Sequence, residues 1–561
     1  MAGLIKRLLE RAQGPVFCRL LFGLLAIAIA ASRGTAANDV AGELTLFNNN
    51  GAWSWFEDER AIVDTAAGKI VVSSVAHTNG SGGAARHGDV EVAALDIASG
   101  DVSRFTLSNA LQADDHNSAA LWRRPDGKYL ALYAKHGSDT LTRIRVSDNP
   151  GDISSWTAEQ TFNNAAGTTY SNLHFLPNDS NGAGRLYNFT RTVGFDPNIL
   201  ISGDFGSSWS YGGRLLAEGT SSDRPYLRYF SDGDRIHFIA TERHPRNFDN
   251  SIYHGYIESG QLFNSHGGVV DANLLDASAA APADLTQVFA TGTEFGGIPM
   301  RTAWTIDVAI DDTGLPYAVF QARANNSTAD HRFFYARFNG TSWAVNELAK
   351  AGGFLYPAED DYTGLAALDP HHPDRVFIST RIDPRDDALL AHYEIFEGVT
   401  ADAGENWTWT PITFGSTFDN LRPIVPAWDD DHTALLWMRG KYTAYTNYDL
   451  NIVGLTEISP LTLTPTCDLD FDGDLDLDDF QLFLSGLHTD LSALSFDEAY
   501  RRGDLNGDRK NDFDDFVLFR DTYDAAHGAG ALAAALRLPE PGSLTMLGIS
   551  SALWISFRRR R

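Results

Sequence analysis

Between Asp115 and Arg191 two hairpins each bring two chemically active side chains to one end. In the first, HNSAALWRRPDGKYLALYAKH, a Pro125-Asp126-Gly127 turn joins two apolar-alternating strands, the pattern of a β-hairpin. Pairing Arg124 with Lys128 sets Trp122 opposite Leu130, Ala120 opposite Leu132 and His116 opposite His136, with Cβ atoms about 5 Å apart. The second, TTYSNLHFLPNDSNGAGRLYNFTR, turns through a polar loop at 177–184 and sets Tyr170 opposite Arg191. A one-residue bulge would shift either pairing. Two imidazoles, a phenol and a guanidinium suit removal of the C5 proton of a uronic acid. That reaction needs the carboxylate neutralised, a base for the proton and an acid for the departing C4 oxygen. Any one of the four alone reads as a packed or rim residue; their convergence at matched hairpin ends is what suggests chemistry.

Other residues could line the same channel: Tyr226 after a proline, Arg243, His244 and Arg246 in one short run, and His331. Glu359, Asp360 and Asp361 offer the carboxylates of a glycoside hydrolase, against the plainer reading of a solvated acidic loop. His371-His372 reads as a loop turn, because no further metal ligand is spaced nearby.

The elements that must position these residues are strands. From about 43 to 456 short segments rich in Val, Ile, Phe, Tyr and Trp, such as KIVVSSVA, RIHFIATER and LPYAVFQAR, alternate with Asp-Gly, Asn-Gly and Pro-Asp turns. An all-β body of this length is large for one sandwich, whereas a propeller grows by adding four-stranded blades around an axis. Ser202-Gly-Asp204-Phe-Gly206-Ser-Ser-Trp209 fits the Asp-box turn, and Thr400-Ala-Asp402-Ala-Gly404-Glu-Asn-Trp407 is a looser copy. In such a turn the carboxylate caps backbone N–H groups, Gly takes the unusual dihedral and Trp packs beneath.

The N-terminus carries Lys6, Arg7, Arg11 and Arg19, an apolar run at 20–31 and small residues ending at Ala36-Ala37. This is the pattern of a secretory signal over 1–37, so the mature protein is expected outside the cytoplasm, at the cell surface, associated with the outer membrane or extracellular. Cys18 leaves with the signal, and Cys467 alone cannot form an intrachain disulfide. The formal net charge of −29 argues against a nucleic-acid partner. An acidic polysaccharide would also be repelled at long range, but salt screens beyond about 8–10 Å, so only the cleft must be locally positive. Arg191, His136, Arg224, Arg243 and Arg246 are the candidates to make it so.

The body, 38–459, resembles the BNR-repeat-containing family of seven-bladed propellers that includes the ulvan lyases. The resemblance is carried by Trp53-Ser-Trp-Phe-Glu-Asp-Glu-Arg60, Asp115-His-Asn117, Thr169-Tyr-Ser-Asn172, Arg224-Pro-Tyr226, Arg243-His-Pro-Arg246, Asp361-Tyr-Thr-Gly364, Ser379-Thr-Arg-Ile-Asp-Pro384 and Trp437-Met-Arg-Gly440. It implies a polysaccharide lyase acting on a uronate-rich, sulfated glycan. Tyr170 and His116 would transfer protons, their division into acid and base left open, and His136 and Arg191 would neutralise the carboxylate. No cofactor is required for that elimination if those two do the work. A non-catalytic glycan-binding or cell-surface propeller and a glycoside hydrolase using Asp361 are the competing readings.

After Pro460 the composition changes. Asp468, Asp470, Asp472, Asp474, Asp476 and Asp479 place oxygen ligands and a backbone carbonyl in the register of a calcium loop, with Gly473 at its sharp turn. Asp504, Asn506, Asp508, Lys510, Asp512 and Asp515 repeat the register, with Arg509 where Gly is usual. Each loop runs into an apolar stretch, and the duplicated arrangement over 460–529 resembles a type I dockerin. The expected fold is therefore an all-β, seven-bladed β-propeller followed by a small α-helical calcium-binding module, with Ca²⁺ as its ion and a cohesin-like or cell-surface partner. The segment 530–561 contains Pro539-Glu540-Pro541, a short apolar run and Arg558–Arg561. It resembles a PEP-CTERM sorting signal, which implies processing by an exosortase; a plain anchor is the alternative.

Overall fold

In the computed structural model the chain forms two compact units, Val40–Leu461 and a second that includes Thr462–Arg561. The structure describes residues 39–456 apart from 219–222, 277 and 358, and 467–536 apart from 470–474, 490, 492–493, 495–498 and 506–509. The signal segment and residues 537–561 of the sorting segment lie outside the described residues, as do Asp470, Asp472, Asp474, Asn506 and Asp508.

Val40–Leu461 is mostly β and builds a seven-bladed propeller from seven antiparallel sheets. Blade one comprises Ala61–Asp64, Lys69–Val75, Val90–Asp96 and Val102–Ser108. Blade two comprises Ala120–Arg123, Tyr129–Ala134, Leu141–Val146 and Gln160–Asn163, and blade three Thr169–Leu176, Arg185–Arg191, Pro197–Ser202 and Ser210–Arg214. Blade four begins at Leu227–Ser231 and adds Val269–Asp271 and Thr286–Phe289 beyond the expected four strands; blade five gains the short Glu294–Phe295. Blade six runs from Ala366–Asp369 to Thr408–Pro411. Blade seven takes Asp419–Ile424, Leu435–Ala444 and Asn447–Leu455 from the end of the chain and its outer strand, Thr45–Asn48, from the beginning. That pairing closes the ring by tying the start of the chain to its end.

Because blades pack face to face, inner strands are buried on both sides: Pro316–Ala324 is buried at every residue, its polar Gln321 and Arg323 both hydrogen-bonded to Asp361. Both Asp boxes form as expected. Asp204 accepts from the Ser208 N–H at 2.8 Å and Asp402 from the Asn406 N–H at 2.8 Å, while Trp209 and Trp407 each donate to the glycine carbonyl three residues back. Gly206 has φ of 86°, and a Cβ there would lie 2.6 Å from Leu130 of the preceding blade, so the turn requires glycine.

The segment 53–60 fills the centre of the ring. Trp55 donates to the Thr363 carbonyl, Phe56 stacks on Trp304 at 3.6 Å, and the Asp58 N–H donates to Asn172 Oδ1 at 3.1 Å. Ser118 donates to Glu57, and Arg422 to the Glu57 carbonyl. One short stretch thereby ties blades two, three, five, six and seven together, and the Arg228–Glu59 pair at 2.8 Å adds blade four.

In the second unit the described residues contain the helices Leu477–Gly486, Phe513–His527 and Ala531–Ala535. Leu469 donates to Asp479 at 2.6 Å and Leu505 to Asp515 at 2.7 Å, so the two halves repeat one contact. Phe480, Phe483, Phe519 and Tyr523 pack between them. Among the described residues no helix is long and apolar enough to cross a membrane.

Candidate active site

The hairpin of blade two holds the expected register from Ala120↔Leu132 to Arg123↔Tyr129. His116 precedes the ladder, in a single 3-10 turn over Asp115–Asn117 capped by Asp114. The two imidazoles therefore meet by stacking, with ring centroids 3.9 Å apart and planes at 15°. Asp114 bridges them: one carboxylate oxygen lies 2.7 Å from His116 Nδ1 and the other 2.9 Å from His136 Nδ1. With Nδ1–H of each ring donating to that carboxylate, Nε2 is left to meet a ligand. The ligand atoms of Asp114, His116 and His136 all lie within 4.8 Å of one another, close enough to share a cation, although such an ion would compete with these hydrogen bonds.

The hairpin of blade three corrects the expected pairing. Asn172↔Phe189 through Leu176↔Arg185 are in the anticipated register, but a bulge before Asn172 places Thr169, not Tyr170, opposite Arg191. Tyr170 takes φ of 69°, a conformation costing of order 1–3 kcal/mol for a residue with a side chain, and Thr190 Oγ1 sits 3.0 Å from both the Thr169 and Tyr170 carbonyl oxygens. The result still brings the pair together: the Arg191 guanidinium lies 4.8 Å from the Tyr170 ring centroid. His116 lies 5.5 Å from the same ring. Blades two and three touch at Gly137 and Gly167, where a Cβ on Gly167 would lie 2.7 Å from the Gly137 carbonyl oxygen. All four sequence candidates thus converge on one face.

Their electrostatics differ. Burial opposes charge on His116, and an ionised Tyr170 oxygen would raise the imidazole; with the phenol protonated, it is the Asp114 and Asp115 carboxylates that hold it above its usual range. Burial and the His116 charge push His136 down to about 4. Burial works to raise Asp114, yet the two histidines keep it below the usual carboxylate range. Burial and the neighbouring Asp114 push Asp115 up to about 6 against the pull of His116. Burial pushes the Tyr170 phenol up to about 12, although His116 and Arg191 both pull it down. The site therefore holds a cationic imidazole stacked on a neutral one, beside a protonated phenol.

Tyr226 joins this group. Its hydroxyl oxygen accepts from Arg224 at 2.9 Å and from Arg191 at 3.3 Å. A small recess between blades three and four is lined by Phe56, Tyr170, Asn172, Arg191 and Tyr226 among others. His244 packs edge-on against Tyr226 at 5.1 Å, and burial followed by the nearby arginines pushes it down to about 3. Arg243 is tied to Glu218 at 3.1 Å and Arg246 to Glu359, so carboxylates already offset the charge expected from them. His331 is fully buried, with Nε2 3.2 Å from Asp361. Asp361 is clamped by Arg323 at 2.6 and 2.5 Å, which occupies the carboxylate a hydrolase would need free.

Sequence reasoning missed Asp114, Asp115, Tyr442 and Tyr445. Tyr442 donates to Asp115 at 2.7 Å, and the Tyr445 ring meets both His116 and His136 edge-on. The acidic pair beside His116 was a visible signal; two tyrosines of the last blade offered none.

Fold and site together define a seven-bladed β-propeller with a His/His/Tyr/Arg cluster in which His116, Tyr170 and Arg191 are buried and His136 is partly exposed. Residues 82–351 match the family described as BNR repeat-containing family member. No curated protein matches the sequence. Among solved structures, a polysaccharide lyase of family PL25, an ulvan lyase bound to -[GlcA(1-4)Rha3S]-, is similar at 14% identity and a TM-score of 0.52, covering 73% of this chain and 95% of its own. A further structure of a PL25 ulvan lyase gives 14% identity and a TM-score of 0.51, covering 74% of this chain and 96% of its own. A lectin from Burkholderia pseudomallei gives 10% identity and 0.42, covering 74% and 97%. At these identities the likeness is one of fold.

Proposed function

We propose that the propeller is a polysaccharide lyase that cleaves a uronate-containing, sulfated glycan by β-elimination. The observation that carries this reading is the convergence of His116, His136, Tyr170 and Arg191 around one point. Arg191 and the charged His116 neutralise the uronate carboxylate, which acidifies the C5 proton. The electrostatics favour exchanging the roles first expected of the two imidazoles: His136, neutral with Nε2 unprotonated, takes the C5 proton. The C5–H electron pair forms the C4–C5 double bond, the C4–O bond breaks, and the Tyr170 phenol protonates the departing oxygen. Incubation with a panel of uronate polysaccharides, ulvan included, is expected to raise absorbance near 235 nm, the signature of the new double bond. New reducing ends without that rise would mean hydrolysis, and binding without either would mean a glycan-binding propeller.

We further propose that the protein is exported, with its tail processed by an exosortase, and that Ca²⁺ is held by the two acidic loops of a dockerin-like module with a cohesin-like or cell-surface partner. The repeated Leu469–Asp479 and Leu505–Asp515 contacts support the module by placing the last carboxylate of each loop alike. Removing calcium from the full chain with EDTA is expected to lower helical ellipticity and open the region after 460 to protease, while the propeller stays folded. Identical spectra and digestion patterns with and without calcium would overturn it.

A further inference from the structure

Immediately after Arg191 the chain makes a tight turn, Val193–Phe195, that ends in an exposed aromatic residue. Phe195 is 50% exposed at φ of 64°, and Gly194 before it has φ of 74°. A Cβ on Gly194 would lie 2.7 Å from Asp196 Oδ2, so the turn is specified by its sequence. It is also pinned: the Asn198 amide donates to the Val193 carbonyl at 3.1 Å and to the Asp196 carbonyl at 2.6 Å, and Arg214 holds Asp196 at 3.0 Å. A large apolar ring fixed in a strained conformation and turned to water needs a reason.

Arg224 supplies a second observation. Its guanidinium lies 5.8 Å from the Phe195 ring centroid and 5.4 Å from that of Tyr226, while Nη2 donates to the Tyr226 hydroxyl. Tyr226 also receives Arg191. An aromatic platform and a planar cation thus flank the reacting group on the blade-three side.

We infer that Phe195 and Arg224 form a saccharide subsite next to the reacting uronate. The Phe195 ring stacks on the apolar face of a pyranose, and the Arg224 guanidinium takes an anionic substituent, sulfate or carboxylate, of that same sugar. This deepens the lyase reading and rests on it for the identity of the neighbouring ring. It also gives a specificity: the sugar beside the uronate must carry a negative charge.

The test separates binding from turnover. In the full chain carrying His136→Ala, which lacks the base but keeps Arg191 and His116 on the carboxylate, affinity for ulvan and for chemically desulfated ulvan is measured by calorimetry, with Phe195→Ala or Arg224→Gln added. Phe195→Ala is expected to weaken both about five- to tenfold. Arg224→Gln is expected to weaken the sulfated polymer by at least tenfold and the desulfated one by less than threefold. In the active enzyme the Phe195→Ala loss falls on KM rather than kcat. Unchanged affinity in Phe195→Ala, or equal losses on both polymers in Arg224→Gln, would overturn the subsite. Wild-type protein that produces no double bond yet shows Phe195- and Arg224-dependent binding would overturn the lyase reading and leave the subsite standing.

Discussion

Replacing Tyr170 by Phe is expected to lower kcat by about 10²–10⁴, the usual size of a lost proton-transfer group, with the propeller still folded. The substitution removes one oxygen and nothing else. The ring keeps its place under the Arg191 guanidinium and beside His116, so the φ of 69° is still held by the same neighbours. The phenol is poised as a donor: burial pushes it up to about 12, so it stays protonated at neutral pH, while His116 and Arg191 stand ready to stabilise the phenolate once its proton has gone. Because the hydroxyl is used when the C4–O bond breaks, the loss falls on kcat and KM moves by no more than a few-fold. Initial rates at 235 nm, with far-UV circular dichroism as the folding control, measure both. Unchanged kcat would remove Tyr170 from the chemistry.

What the sequence could reveal of this site depended on distance along the chain. The hairpin of blade two was legible because its turn chemistry and apolar alternation fix one register, and Ala120–Arg123 pairs with Tyr129–Ala134 as those signals require. The bulge at Tyr170 was not legible, since nothing in Thr169-Tyr-Ser-Asn172 distinguishes a regular strand from one whose backbone is held by Thr190 across the ladder. The Asp boxes were readable for the opposite reason: every contact that makes them lies within seven residues. Arg243 and Arg246 looked like the cations of a cleft because their partners, Glu218 and Glu359, lie 25 and 113 residues away. Trp53–Arg60 stood out as a motif, yet only closure of the ring shows it to be the axis on which Ser118, Asn172 and Thr363 converge. Tyr442 reaches Asp115, and Tyr445 the two histidines, for the same topological reason.

Asp114→Asn is expected to cost about 10²–10³ in kcat/KM and to change the shape of the pH profile. The carboxylate accepts from both Nδ1 atoms, so it fixes the tautomer of neutral His136 and the orientation of both rings. An amide in its place accepts from one ring with Oδ1 and presents N–H donors to the other, which must then turn or change tautomer. In the wild type, His136 is held down to about 4 by burial and the His116 charge, so its Nε2 stays free to accept a proton until the pH falls towards 4. The acid limb of kcat/KM is therefore expected near pH 4, well below the 6.5 of an ordinary imidazole. His116 is held charged against its burial by Asp114 and Asp115. Removing one of those carboxylates lets His116 lose its proton at lower pH, so the variant loses activity on the alkaline side as pH rises through a point below the wild-type limit. Loss at every pH with an unchanged profile would mean that Asp114 only supports the turn over Asp115–Asn117. A lowered alkaline limb, with the melting temperature within a few degrees of wild type, would place the shared carboxylate in the electrostatics of the reaction.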